Sequence, residues 1–429
     1  MKRWIHFTLF TLVVVLSNGR TGYAQTSLDA YLEQALAGNA DLQNFKLQRE
    51  VSTLEIQKIK AQYESPQWSL TGDYLLAPFF FNNGQVAAIT ANPDARAIGY
   101  DAGVTNGGWY SGQVNVNYPI FTRGISQPLA QQQDLERMSL NVQARQLEAA
   151  LKRQITADYL NAYLIQQQKD FTGQVKTGLL EQREFVRKLA GRGIMRVTGL
   201  ELLNLEIQNQ DFQLENLSAQ FRQALITLRN DAGIADTASA RLEAVELSLT
   251  DAAERSLFLE PYRLDSLNAL NGQAAFEARY FPQVNLFANA GVNAVELNNI
   301  YRKVGFSAGL HVSWLFQDGG QRDINAQQNE LRQLNARNQT EFSSRQIQNN
   351  RLNNGLLLQQ NRQNIGLLDT QLAGYRQLLA TYKQEFALGQ LSVIDYLNVW
   401  RDYVGLQHQK ILQEIQLLLI INEINYWNN

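Results

Sequence analysis

The chain has no cysteine among its 429 residues. Disulfides, cysteine–zinc sites, thiol catalysis and a lipid-modified N-terminal cysteine are therefore excluded. Histidine is nearly absent as well: His6, His311 and His408 are the three. Seven prolines and a formal charge of −2 argue against a disordered chain or a nucleic-acid-binding one. An enzyme built from this composition would have to run on carboxylates, hydroxyls and a pair of histidines. What the chain has in quantity is Gln and Asn. They hold the mean hydropathy at −0.30 although 45% of residues are apolar.

Residues 1–25, MKRWIHFTLFTLVVVLSNGRTGYAQ, have the layout of a secretory leader. Lys2 and Arg3 begin it, Trp4 to Leu16 form an apolar run, and Gly22-Tyr23-Ala24 is a small-x-small cleavage site before Gln25. The run is too short to span a bilayer as a helix, so cleavage near Ala24/Gln25 is expected rather than anchoring. Without Lys2, Arg3 and Arg20 the mature chain carries 35 basic and 40 acidic residues, net −5. No later apolar run reaches spanning length; Leu417 to Ile421 is the longest attempt, closed off by Glu414 and Glu423.

The sequence repeats itself once. Pro66-Gln67-Trp68-Ser69-Leu70 returns as Pro282-Gln283-Val284-Asn285-Leu286, 216 residues later. Tyr118-Pro119-Ile120-Phe121-Thr122-Arg123-Gly124 returns as Trp314-Leu315-Phe316-Gln317-Asp318-Gly319-Gly320, 196 later for the matched Gly124 and Gly320. Gly193 and Gly389 interrupt two long helical runs, again 196 apart. The fall in offset places about 20 extra residues in the first repeat. They lie within Ala77–Gly112, rich in Gly, Asn, Pro and aromatics, which reads as a long loop. The expected division is a leader (1–25), a first repeat (26–240) and a second (241–429), forming one elongated domain in space.

Each repeat holds a strand pair: Trp68–Leu76 with Gln113–Phe121, and Val284–Val295 with Val304–Phe316. Val114, Val116, Tyr118 and Ile120 alternate with Gln113, Asn115 and Asn117. Val304, Phe306, Ala308, Leu310, Val312 and Trp314 alternate with Gly305, Ser307, Gly309, His311 and Ser313. The third strand opposes Val284, Leu286, Ala288 and Ala290 to Asn285 and Asn289, with Phe287 an exception on the polar side. Such alternation fits either a half-buried soluble sheet or the wall of a transmembrane barrel. Four strands cannot close a barrel, and lipid tolerates no open sheet edge. If these strands span a membrane, two, three or four chains must share a barrel of about 8, 12 or 16 strands.

Two proline-poor segments follow, from about Gln127 to Ala190 and from Gln321 to Ala387. As helices each would be about 95–100 Å long. Leu147, Leu151, Ile155, Tyr159 and Tyr163, and likewise Leu368, Leu372, Tyr375, Leu379 and Tyr382, keep the 3–4 spacing of coiled-coil packing. Shorter helices are expected at about Ala40–Glu64, Val197–Asn230, Ala253–Tyr280 and Ser392–Tyr426.

In these features the chain resembles the TolC family of outer-membrane efflux ducts. The likeness spans the mature chain: the twofold repeat, the strand-to-helix corners at Pro119 to Gly124 and Leu315 to Gly320, and the tip segment Phe386-Ala387-Leu388-Gly389-Gln390-Leu391-Ser392-Val393-Ile394-Asp395-Tyr396-Leu397. The resemblance implies a homotrimer sharing a 12-stranded outer-membrane β-barrel, continued by an α-helical coiled-coil tunnel in the periplasm. It implies a periplasmic adaptor protein and an inner-membrane pump or ABC exporter as partners, and no cofactor. It makes Gly193, Gly199, Gly389, Leu391, Val393 and Asp395 tip residues that meet the adaptor. Pro119, Gly124, Gly319 and Gly320 become the corners, and Asn115, Asn117, Asn285, Asn289, Ser307 and His311 line the lumen. Half one departs from the pattern, since Gly199 stands where half two has Asp395.

Several residues imitate chemistry. Gly305-Phe306-Ser307-Ala308-Gly309 fits the G-x-S-x-G pattern but lies within an alternating strand, whereas a nucleophile elbow needs a strand-to-helix turn. His311 has no second ligand close in sequence. Asp369 and Glu385 read as solvated helix faces. The expected function is a passive exit duct for efflux or type I secretion, with a pore-less envelope scaffold as the alternative.

Overall fold

The computed structural model describes residues 25–90, 92–100, 108–235, 240–295, 297–388 and 390–429. The leader up to Ala24, and Gly389, lie outside them. In chain order the elements are β1 (Gln25–Thr26), α1 (Leu28–Gly38), α2 (Ala40–Glu64), β2 (Gln67–Leu76), β3 (Phe79–Asn82), β4 (Gln85–Ala88), β5 (Gly108–Ile120), α3 (Arg123–Gly191), α4 (Val197–Asp231), β6 (Arg241–Leu242), α5 (Glu260–Glu277), β7 (Gln283–Ala294), β8 (Val304–Ser313), α6 (Gln321–Ala387) and α7 (Val393–Trp427). The order helix, strand, strand, long helix, 35-residue helix occurs twice, as α2-β2-β5-α3-α4 and as α5-β7-β8-α6-α7. The two long helices have 69 and 67 residues.

Several boundaries differ from expectation, each for a local reason. Ala77–Gly112 is not a plain loop: it contains the β3–β4 hairpin, and β5 begins at Gly108 because it pairs with β2 back to Leu76. Asn83 and Gly84, at φ 48° and 81°, supply the two left-handed residues of a type I′ turn. β8 stops at Ser313 rather than Phe316, since its partner β7 starts at Gln283, opposite that residue. Residues 253–259 are not helical; α5 starts at Glu260 with Pro261 in its first turn. α3 starts at Arg123, earlier than expected, and accommodates Pro128 near its start. Helix α1 and the parallel pair β1–β6 are additional.

The residues group into two compact units. The helical unit comprises residues up to Gly38, Leu151–Ser248 and Leu357–Asn422. One of its cores joins Tyr31 of α1 to Ile155, Tyr159, Leu228 and Leu242. Tyr31 meets Tyr159 edge to face with centroids 5.8 Å apart, and the Tyr159 hydroxyl donates to the Glu243 carbonyl at 2.9 Å. Burial pushes that phenol up to about 12. The buried Gln166 amide exchanges two 2.9 Å hydrogen bonds with the Leu242 backbone, strapping the segment after α4 to α3.

The sheet-bearing unit comprises Asn39–Ala150, Leu249–Leu356 and Glu423–Asn429. Leu135, Val142, Ala149, Leu257 and Leu264 form its apolar core. Gln273 Oε1 accepts from Asn325 Nδ2 and Asn329 Nδ2 at 2.8 and 3.0 Å, so part of the amide-rich composition ties helices α5 and α6 together. The sheet order is β2-β5-β7-β8, antiparallel throughout, with β2 and β8 at the edges. Among the described residues no helix is long and apolar enough to cross a membrane.

Candidate functional site

The sheet is two-faced because every ladder joins residues of like parity. Ser69, Asn115, Asn289 and Ser307 form one row across all four strands, and Leu70, Val114, Ala290 and Phe306 form the next. Residues opposite one another on antiparallel strands share a face, so the alternations read along each strand become one continuous surface. The odd-numbered face carries Asn115, Asn117, Asn285, Asn289, Ser307 and His311 together. Asn115 Nδ2 donates to Thr71 Oγ1, and Ser307 Oγ to Asn289 Oδ1, both at 2.8 Å. Ser307 is thus a rung of a polar row in mid-strand. Phe287, the exception, lies opposite Gly309, where a Cβ would come within 2.7 Å of its ring. The glycine makes room for the ring.

The even-numbered face is apolar and uncovered. Leu70 is 80% exposed and Phe306 87%, and Trp68, Tyr74, Val304, Leu310 and Val312 are exposed with them. Among the described residues these side chains stay exposed. A soluble half-buried sheet would have its apolar face covered.

The corners are built differently in the two repeats. Pro119 follows the last β2–β5 pair, Gln67–Asn117, so its missing N–H breaks no bond on that side. Phe121 turns the chain at φ 60°, and Gly124 lies in the first turn of α3, where a Cβ would come within 3.0 Å of the Phe281 ring. In the second repeat Gly319 and Gly320 have φ 71° and 87°. Asp318 caps α6, its carboxylate accepting from the Gly320 and Arg322 amides at 2.9 and 2.8 Å and from the Tyr280 hydroxyl. The Tyr280 and backbone hydrogen bonds hold the Asp318 carboxyl below its usual range. Asp318 was part of the corner motif, but its capping role becomes visible only with Tyr280 in place.

The tip residues come together in the helical unit. α3 ends in a Schellman motif: the Ile194 amide reaches the Leu189 carbonyl at 3.1 Å, the Gly193 amide reaches Ala190 at 2.9 Å, and Gly193 has φ 75°. At the end of α6 the Gln390 amide reaches the Glu385 carbonyl at 3.0 Å, the same six-residue closure. Ser392 caps the start of α7, its Oγ accepting from the Asp395 amide at 3.2 Å and donating to the Asp395 carboxylate at 2.5 Å. Asp395 is therefore occupied at its own helix start. Gly199, at the matching place in α4, is buried under Val393.

Beneath the turns, Val186, Leu203, Ile207, Phe386, Val393 and Leu397 form a core drawn from α3, α4, α6 and α7. A cleft of about 480 Å³ opens among Ile194, Met195, Gly199, Leu391 and Val393. Deeper in, Glu206, 6% exposed, accepts from Arg401 Nε and Nη2 at 3.0 and 2.6 Å and from Gln210 Nε2 at 3.0 Å. The sequence did not reveal this pair, nor the exposed Ile194 and Val197 that join Leu388 and Ile394 of the tip segment in one apolar group. The 196 offset could have found Val197, the counterpart of Val393. Among the described residues no group of three or more His, Asp or Glu is placed to hold a metal ion.

Neither a family model nor a curated relative matches the sequence. Solved structures do match. A CusC structure concerned with transmembrane channel formation has a TM-score of 0.71 at 13% identity, covering 96% of this chain and 95% of its own. The outer-membrane protein VceC from Vibrio cholerae has a TM-score of 0.71 at 13% identity, covering 94% and 96%. The fold is that of outer-membrane channels. The MtrE outer-membrane channel of Neisseria gonorrhoeae, in its open state, has a TM-score of 0.68 at 14% identity, covering 94% of this chain and 88% of its own. At these identities the channel fold is shared while nearly every side chain differs. The uncovered apolar face and the tip core therefore follow from this chain's own residues.

Proposed function

We propose that this chain is a passive outer-membrane exit duct. In this reading three copies share one 12-stranded barrel, continued by a coiled-coil tunnel into the periplasm. A periplasmic adaptor and an inner-membrane pump or ABC exporter complete the system, and each repeat supplies one strand pair and one coiled-coil pair. The observation that carries this reading is the uncovered apolar face on a sheet whose two edges are both open. Lipid satisfies that face but not the edges, which must pair with further strands.

The edges suggest how. β2 follows α2, which exposes the stripe Leu47, Val51 and Leu54; β8 leads into α6, which exposes Leu331, Leu334 and Phe342. Joining β2 of one copy to β8 of the next would bring these stripes to one seam. Parity requires even-numbered residues of β2 to meet even-numbered residues of β8, keeping Leu70 and Leu310 in lipid and Ser69 and His311 in the lumen. In the helical unit, the exposed Ile194, Val197, Leu388 and Ile394 suit docking of an adaptor. Cargo is set by the pump, and the duct itself performs no catalysis and needs no cofactor.

Purified protein tests the reading. An unheated detergent sample should run as a trimer and should form pores in planar bilayers. A monomer without conductance would reject the duct in favour of an envelope scaffold.

A further inference from the structure

The insertion of the first repeat is a folded object with an apolar surface of its own. Phe79 is buried, its ring seated over Gly99, where a Cβ would come within 2.5 Å of Cδ1. Phe80 exchanges backbone hydrogen bonds of 2.8 and 2.9 Å with Ile98, and Asn82 Oδ1 accepts from the Asp94 amide at 2.6 Å. No charged residue occurs from Tyr74 through Pro93. The hairpin nevertheless holds Phe81 62% and Val86 76% exposed. Phe81 sits at φ 59°, a region that a bulky residue keeps only where its surroundings enforce it.

The place of the hairpin indicates the partner. It grows from the C-terminal end of the edge strand β2. Antiparallel pairing of that edge with β8 of a second copy puts Leu76 beside the Val304 end of β8. The β7–β8 connection lies at that end, and it exposes Leu297 and Tyr301. At one end of the seam the uncharged hairpin surface thus meets the exposed Leu297 and Tyr301, in a connection that also carries Glu296, Arg302 and Lys303, with Arg302 over the Tyr301 ring at 5.6 Å.

We propose that the β3–β4 hairpin clasps the β7–β8 connection of the neighbouring copy, with Phe81 and Val86 against Leu297 and Tyr301. Repeated round the assembly, the clasps form a collar at the outer rim. The partner is a second copy of this chain, and the proposal rests on the shared-barrel reading above. The short β7–β8 connection has no hairpin to return the contact. Each seam therefore receives one clasp, which would explain why only the first repeat carries the insertion.

Because the chain has no cysteine, introduced pairs report cleanly. The variant Phe81→Cys with Leu297→Cys should give an interchain disulfide on mild oxidation of the assembled protein. Ser69→Cys with His311→Cys, within the β2–β8 seam, serves as the independent probe of barrel sharing. If the seam pair cross-links and the Phe81–Leu297 pair does not, the clasp is overturned while the shared barrel stands. If Phe81→Cys alone gives the disulfide, the hairpins meet one another instead, which also overturns it. A sample in which neither pair cross-links and the protein runs as a monomer removes the shared barrel and the clasp with it. A second variant, Phe81→Ser with Val86→Ser, should lower the temperature at which the trimer dissociates on gels while single-channel conductance is kept. An unchanged dissociation temperature would count against the clasp.

Discussion

The Cβ that Gly199 lacks would lie 2.6 Å from Cγ2 of Val393, a residue of the other repeat. The missing symmetry between Gly199 and Asp395 thus has a packing cause: one repeat gives up a side chain so that the other can bury one. Gly199→Ala should destabilise the tip by about 1–3 kcal/mol through overpacking, although alanine is the better helix former by about 1 kcal/mol. Adding Val393→Ala should return part of that loss. Thermal denaturation of the two single variants and the double variant gives the coupling, and an additive result would show that the contact is unimportant.

Glu206 and Arg401 form an ion pair in which the carboxylate is buried and the guanidinium half exposed. Arg401→Leu leaves the carboxylate short of its main partner and should cost about 2–3 kcal/mol. Glu206→Gln, which keeps a hydrogen-bonding group, should cost less. Chemical denaturation of the purified variants separates the two.

Asp158 provides a pH test. Burial pushes its carboxyl up to about 6, and neighbouring Asp231 pushes the same way against the hydrogen bonds from Gln154. The native state therefore binds this proton more tightly than the unfolded chain, whose carboxyl titrates near about 3.9. The associated stability is fully present below about pH 4 and is lost as the pH rises through about 6. Asp158→Asn should flatten the stability profile across that window and raise stability at pH 7. A profile identical to that of the unmodified protein would reject the assignment.

Asp318 ties the second corner together through the Gly320 and Arg322 amides and the Tyr280 hydroxyl. Asp318→Ala removes all three partners' acceptor and should reduce the fraction of trimer surviving in detergent. Asp318→Asn, which retains one capping oxygen, should lie between. Semi-native gels read the difference directly.

The exposed tip residues Val197 and Ile394 should matter to transport and not to assembly. Val197→Asp with Ile394→Asp should abolish export in cells while the purified trimer keeps its heat resistance and conductance. Loss of the trimer itself would place these residues in folding rather than docking.

The strands were legible because their alternation is local: Val114 to Ile120 and Val304 to Val312 declare two faces without reference to any neighbour. Helices α6 and α7 were legible for the same reason, and Gly193 announces a reversal by its residue type alone. The β3–β4 hairpin was concealed by its resemblance to loop composition, although Asn83-Gly84 between apolar flanks was a readable turn signal. Helix α1 was missed because it is short and separated from α2 by a single residue, Asn39, which caps α2 by accepting from the Asp41 and Leu42 amides at 3.0 Å. Glu206 with Arg401 could not be found, since 195 residues separate them and neither belongs to a local pattern.

The absence of cysteine and the scarcity of histidine, the alternating strands and the long uninterrupted helices belong to the sequence itself. They follow from residue type and from spacings of two and of three to four, which need no information beyond a few neighbours. Whether the apolar side of the sheet is covered, why position 199 has no side chain, and which amides join helices rather than line a wall were decided only by the tertiary structure. Those answers depend on residues brought together from about 50 to nearly 200 positions apart, and covering, clash and hydrogen-bond partnership are properties of the packed chain.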